Sequence, residues 1–356
     1  MKAGPISKTS QVSVIVPVFN ASSTLHKFLK SIQKQDYPKL EVIFVDDGSS
    51  DNSPEIIRSY GYEPVISPAN QGQSMARNLG LAKAAGELVC FFDSDVVLKA
   101  DTVSSLVLSL REHEGDAVSG NYEYEPADTN IFSRFYSYLK SYNHGECVVK
   151  GHNILGTYCC IVCKSYLDAA GGFGNFPPGM DIECEAVGRN LSLLGCRFIF
   201  DPSIRVWHHF GGFRKILYVF SNRVYWYARY RVLIPSGKEP VKMRGISTAA
   251  AVGGYTSFAV TSMGYLAAAA VSSPTGYLSV LLLTMSMLGL SLGIAIMARF
   301  YLYCLRKGGM AFSLTCFVIT PFFFMVAGFS GLAGTLVSLI KMQRQEKDRL
   351  SGLLRL

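Results

Sequence analysis

The sequence predicts an α/β domain with a mostly parallel, doubly wound sheet, followed by C-terminal transmembrane helices. Two observations carry that expectation. Apolar runs rich in β-branched residues alternate with helical patterns over the first hundred residues, and most of the runs end in aspartate or asparagine. Charge then thins after Ile246, where long apolar stretches begin. Strands alternating with helices imply right-handed crossovers and a parallel sheet. A globular domain joined to a membrane region explains the hydropathy split better than two soluble domains do.

Residues 11–20 (QVSVIVPVFN) read as a strand buried on both faces. Ser22 and Ser23 are candidate caps for a helix with Leu25, Phe28, Leu29 and Ile32 on one face. Residues 40–45 (LEVIFV) form a second buried strand leading into Asp46-Asp47-Gly48-Ser49. A helix near 54–60 and a short strand near 64–67 follow. Residues 73–85 predict a helix with Met75, Leu79 and Ala82 on one face. Residues 87–92 (ELVCFF) are another buried strand, ending in Asp93-Ser94-Asp95. In such sheets ligands bind beyond the carboxyl ends of the strands, so Asn20, Asp46, Asp47, Asp93 and Asp95 are expected on one rim.

Residues 102–111 predict an amphipathic helix, and 132–142 a further candidate helix within the less readable stretch 115–160. The cluster Cys159, Cys160 and Cys163 has metal-like spacing, but no second pair answers it. GTYCCIVCKS reads instead as a buried strand in which cysteine packs as a small hydrophobe. Residues 171–180 form a Gly- and Pro-rich loop feeding a helix that carries Asp181, Glu183 and Glu185.

The net charge of +8 does not indicate nucleic acid. The basic residues gather at 205–244, 299–307 and 341–355, beside apolar segments, so membrane lipids are the expected partner. Residues 211–245 are read as a basic amphipathic segment at the membrane interface, 246–341 as about three transmembrane helices, and 342–356 as a basic tail. Pro274 and Gly276 mark the first turn, and Arg299, Arg306 and Lys307 mark the second as cytoplasmic. A tail beginning at Lys341 would then face outward unless the stretch around Pro321 is kinked. Without a signal-like apolar stretch at its start, the first domain is expected in the cytoplasm.

The segments VSVIVPVFNASSTL, VIFVDDGSSDNS, NQGQSMARNLGLAKAAGE and FFDSDVVL, in that order and spacing, resemble glycosyltransferase family 2 over about residues 11–210. The resemblance implies a GT-A fold for residues 1–210. It also implies a nucleotide-sugar donor and a divalent cation, Mn2+ or Mg2+. The physical reading agrees. Negative charge grows on a leaving diphosphate, and a hard cation held by carboxylates stabilises it. The resemblance assigns Asp95 to the metal and Asp93 to the donor ribose and metal shell, with helix capping as the alternative for both. It places Asp47 beneath the nucleobase, Pro17 and Phe19 around it, and Arg77 on the nucleotide, an ion pair with Asp47 or Glu87 being the alternative for Arg77. An acceptor beneath the base favours uracil or guanine, hence UDP- or GDP-sugars.

The family's base lies in a Glu-Asp pair. Here Met180 precedes Asp181, so Asp181 is the candidate base and Glu183 the second candidate. His208 resembles a late histidine that completes the metal site, ahead of its neighbour His209. Arg223 and Trp226 are candidate acceptor or membrane contacts. Direct displacement by one base would invert the anomeric centre, so transfer of one sugar with inversion is expected. The apolar stretches would bring the site to the cytoplasmic membrane face, so the expected acceptor is lipid-borne, either polyprenyl phosphate, which resembles the use of similar architectures, or a lipid-linked saccharide. The alternatives are a processive polysaccharide synthase and a non-catalytic nucleotide-sugar binding protein.

Overall fold

The computed structural model describes residues 10–145, 147–151, 155–233, 248–271 and 274–340. The tail from Lys341 lies outside the described residues. The described chain divides into two compact units, 10–212 and 213–340.

The first unit is built on nine strands. In chain order its elements are β1 (Val12–Val18), α1 (Ser22–Ile32), β2 (Leu40–Asp46), α2 (Ser53–Ser59), β3 (Val65–Ile66), α3 (Gln73–Lys83), β4 (Leu88–Phe92), β5 (Val96–Val97), α4 (Thr102–Glu112), β6 (Ala117–Tyr122), α5 (Ile131–His144), β7 (Val149–Lys150), β8 (Cys159–Cys163), α6 (Lys164–Ala170), α7 (Glu183–Leu193) and β9 (Phe198–His208). The strand order is β3-β2-β1-β4-β8-β6-β9-β5, with β7 beside β9. β1 is buried along its whole length, as its unbroken apolar run requires. It pairs in parallel with β2, Val18 opposite Asp46, and with β4, Ile15 opposite Phe91. The loops after all three strands therefore leave the same rim.

The other half of the sheet departs from the parallel expectation. β8 runs antiparallel to both β4 and β6, while β9 returns parallel to β6. A run such as CCIVC reports burial on two faces and carries no direction. Cys159, Cys160 and Cys163 are buried in it and unbridged, as expected of packing cysteines. Burial holds the Cys160 thiol well above its ordinary value and the Cys159 thiol up at about 12, so neither is a ready thiolate.

Three local expectations are corrected. Ser22 and Ser23 do not cap α1. The orphan N–H groups at its start are met from the start of α2 and the loop before it, by Ser53 Oγ at Ala21 and Asp51 Oδ2 at Ser22. α3 buries Ser74, Ala76, Arg77, Gly80 and Leu81, leaving Met75 and Leu79 half-buried and Ala82 exposed. Gly80 sets that orientation, because a Cβ there would strike Ile15 of β1. α7 begins at Glu183, so Asp181 lies on the loop before it.

The second unit holds α8 (Phe213–Tyr218), one π-helical turn (Val219–Arg223), α9 (Val224–Leu233), α10 (Thr248–Val271), α11 (Tyr277–Gly308) and α12 (Met310–Ile340). Among the described residues α11 and α12 are long and apolar enough to cross a membrane. α10, rich in Ala, Gly and Ser, is not one of them, so two of the roughly three expected spans are met among the described residues. α11 runs on past Ala298 to Gly308, so Arg299, Arg306 and Lys307 occupy its last turns rather than a loop. Gly309, at φ 84°, alone separates it from α12. Pro321 sits inside an α12 that remains one helix.

Candidate active site

The rim is organised by polar locks between neighbouring loops. Asn20, at φ 47°, accepts the Ser50 N–H on its side-chain oxygen at 2.8 Å and donates its own backbone N–H to the Ser49 hydroxyl oxygen at 2.9 Å. Gly48, at φ 72°, lies against the backbone of Ala69, which a Cβ would meet at 2.8 Å. The chain must therefore be glycine there on two counts. Asp47 is buried, and its two oxygens accept the N–H groups of Gln71 and Gly72 at 2.9 and 2.8 Å. Burial pushes its carboxyl above the usual range against the pull of those two donors. Asp47 thus stitches the loop after β2 to the start of α3. Pro17 is buried within β1, and Phe19, just beyond the strand, is 46 % exposed at the rim.

Asp93 and Asp95 follow β4. The chain turns at once into β5, whose Val96 pairs with His208 of β9. That pairing brings His208 Nε2 to 3.3 Å from Asp95 Oδ1. Asp93, Asp95 and His208 each offer a ligand atom within 4.8 Å of the others, a group able to hold a metal ion. The His208 ring stacks on Phe210 at 4.2 Å, which fixes its plane. Strand alternation sends His209 to the opposite face, where its Nδ1 lies 2.7 Å from Asp128. The two adjacent histidines are therefore separated by geometry.

Arg77 is wholly buried. Its guanidinium donates to Asp93 at 3.0 Å, Glu183 at 3.3 Å and Gln73 at 3.1 Å. It is an ion-pair residue, with partners other than Asp47 or Glu87. Burial alone would lower its pKa, but the carboxylates of Asp93 and Glu183 outweigh that and hold it above its ordinary value. Burial likewise raises the Asp93 carboxyl, opposed by Arg77 and reinforced by Asp95. Glu183 is 7 % exposed and committed to Arg77, whereas Asp181 is half-buried on the preceding loop.

Sequence reading missed Asn78, the residue after Arg77. Its side-chain amide donates to the Phe173 carbonyl at 2.8 Å and accepts the Phe173 N–H at 2.7 Å. Asn78 is half-buried at the edge of the packed face of α3, and its partner lies 95 residues away, beyond any local signal. Arg223 and Trp226 lie in the second unit. Arg223 ends the π-helical turn, and the Trp226 ring lies 5.0 Å beneath the Arg229 guanidinium.

An α/β sheet with carboxylates gathered beyond parallel strand ends, and a metal-competent triad beside them, defines a GT-A-type domain. Residues 13–168 match the family "Glycosyl transferase family 2", and the chain carries a domain of that family. Glycosyltransferase GlyG of Streptococcus pneumoniae is 36 % identical over 127 residues, 34 % of this chain and 42 % of the relative. Glycosyltransferase AglE of Haloferax volcanii is 29 % identical over 171 residues, 46 % of this chain and 56 % of the relative. The matches thus span less than two thirds of these relatives. The solved mannosyltransferase PcManGT from Pyrobaculum calidifontis, in complex with GDP-Man and Mn2+, superposes with a TM-score of 0.56 at 16 % identity, covering 96 % of this chain and 90 % of that one. That likeness shows a shared fold.

Proposed function

We propose that the protein is an inverting, metal-dependent glycosyltransferase. It moves one sugar from a UDP- or GDP-sugar to a lipid-borne acceptor at the cytoplasmic membrane face. The observation that carries this reading is the convergence of Asp93, Asp95 and His208 within 4.8 Å beside a rim typical of nucleotide crevices. The two carboxylates suit Mn2+ or Mg2+, the imidazole favours Mn2+ of the two, and a neighbour of the same fold was solved with Mn2+ and GDP-Man. A cation bound there would neutralise charge on the leaving diphosphate.

The chain's own residues then divide the remaining work. Pro17, Phe19 and Asp47 shape the nucleobase end, Asp47 by holding the Gln71–Gly72 backbone against it. Asp93, paired to Arg77, faces the donor. Asp181 takes the proton of an acceptor hydroxyl as its oxygen bonds to the anomeric carbon and the bond from that carbon to the diphosphate oxygen breaks. Attack from the face opposite the leaving group inverts the centre. The apolar helices α11 and α12, with Arg223 and Trp226 nearby in the chain, support a lipid-borne acceptor.

The test is transfer by the purified full chain from a panel of UDP- and GDP-sugars, with polyprenyl phosphate and lipid-linked saccharides as acceptors. Chelation should lower turnover by on the order of a thousandfold. Asp181→Asn should lower transfer to a hydroxyl by about a hundredfold or more while leaving nucleotide affinity unchanged. A phosphate acceptor arrives already ionised, so the same change should spare it. Undiminished transfer after chelation would overturn the metal reading. Hydroxyl transfer that survives both Asp181→Asn and Glu183→Gln would overturn the choice of base.

A further inference from the structure

The loop 171–182 reads GGFGNFPPGMDI, and such a sequence has little local order of its own. Yet Asp181 sits on it. The loop is held at both ends by one helix. At its start, Asn78 of α3 closes a two-bond ring with the backbone of Phe173, 95 residues away in sequence. The fit is close: Gly172, at φ 82°, leaves no room for a Cβ against the Asn78 oxygen. The Phe173 ring is buried against Phe91 of β4 at 5.1 Å and lies 5.6 Å below the Arg77 guanidinium. At the far end, Arg77 holds Glu183, two residues beyond Asp181, while its other arm holds Asp93. Near the middle, Gly72 at the start of α3 lies against the Phe176 carbonyl, which a Cβ would meet at 3.1 Å.

We infer that Asn78 is a positioning residue that, with Arg77 beside it, hangs the Asp181 loop from α3 in register with Asp93. The inference rests on the assignment of Asp181 as base. α3 thereby serves two halves of the reaction. Its first turn receives Asp47 from the donor side, and its second turn fixes the proton-accepting side. Removing the amide frees the loop where its backbone is pinned, without touching Asp93, Asp95, His208 or Asp47.

The experiment compares the full-length wild type with Asn78→Ala and Asn78→Asp, and with Lys83→Ala, an exposed change on the same helix. Calorimetry measures UDP and GDP binding in the presence of Mn2+, and steady-state kinetics measures transfer to a hydroxyl acceptor. In Asn78→Ala, kcat should fall by about ten- to a hundredfold, the scale of a small misplacement of a reacting group. Nucleotide affinity should stay within about threefold. Asn78→Asp keeps an acceptor for the Phe173 N–H but sets a carboxylate oxygen against its carbonyl, so its kcat should fall at least as far as in Asn78→Ala. In an Asp181→Asn background, Asn78→Ala should cost almost nothing further, because both changes act through one carboxylate. Additive losses, an unchanged kcat in both Asn78 variants, or nucleotide affinity falling in step with kcat would each overturn the inference. A wild type that binds no nucleoside diphosphate with Mn2+ present would instead sink the proposed function itself, and this inference with it.

Discussion

The two units are held together by opposite means. In 10–212 the chain is fixed around the rim by side chains bonding to backbone: Asn20 to Ser50, Asp51 to Ser22, Asp47 to Gly72, Asn78 to Phe173. In 213–340 the helices meet where side chains are missing. A Cβ at Gly254 would meet Gly289 O and Gly293 N at 3.0 Å, and one at Gly289 would meet Gly254 O at 2.9 Å. Gly328 receives Thr256, and Gly334 receives the Tyr225 backbone, seating α9 on α12. The proposed membrane placement of α11 and α12 accounts for the contrast. Water makes apolar burial the driving force for a core, and polar locks then choose among loop conformations. For helices that lie in lipid that driving force is absent, and close backbone approach replaces it.

The sharpest way to break the contrast is Arg77→Met. Arg77 is a wholly buried cation with two carboxylate partners in the first unit. Its removal leaves Asp93 and Glu183 uncompensated, at a cost of about 3–5 kcal/mol. Thermal unfolding of the purified protein should show the first unit's transition lowered by roughly 10 °C. A shift of only a degree or two would mean that Arg77 contributes little to the lock.

A second test addresses the helical unit. Gly293→Leu places a branched side chain where a single Cβ would already meet the Tyr255 ring at 2.9 Å. Overpacking of this kind costs about 1–3 kcal/mol. The α10–α11 contact should loosen, seen as faster hydrogen exchange in both helices, while nucleotide binding by the first unit stays unchanged. Gly253→Leu, where nothing lies within 4 Å, is the matched control and should leave exchange unchanged. If both variants exchange alike, glycine contacts are not what holds these helices.

What the sequence revealed tracks this division. Buried runs announced β1, β2 and β4, and the aspartates at their ends announced the rim, because burial on both faces and strand-end polarity are local signals. The direction of β8 was not legible, since CCIVC reads the same both ways. β6 (AVSGNY) was hidden because it buries Asn121 and Ser119 where a core strand usually shows branched apolar residues. α3 misled for the same reason. Its buried face carries Arg77 and Gly80, so the apolar stripe Met75, Leu79 and Ala82 pointed to the wrong side. The carboxylate partners of Arg77 lie 16 and 106 residues away, and no spacing rule reaches that far. His208 and His209 could have been told apart by strand alternation once β9 had been seen to end there.

The smallest expected effect refines the polar side of the contrast. Asp51 binds the Ser22 N–H at 3.0 Å and the Ser53 N–H at 3.0 Å, so one carboxylate closes the start of α1 against the loop after β2. Burial works to raise its pKa, but the hydrogen bonds from Ser53 and Ser22 outweigh it and set the carboxyl below its ordinary value. A depressed folded-state pKa gives stability that is complete above the unfolded value of about 3.9 and drains away as pH falls through the folded one. Asp51→Asn turns one accepting oxygen into a donor and removes the charge, so it should cost about 1 kcal/mol at pH 7, the net worth of one hydrogen bond. The gap between variant and wild type should narrow as the pH drops below about 4. Denaturant midpoints at pH 7 and pH 3 measure both quantities. A constant gap would show that Asp51 acts by shape alone, and that its charge adds nothing to the lock between the first two loops of the rim.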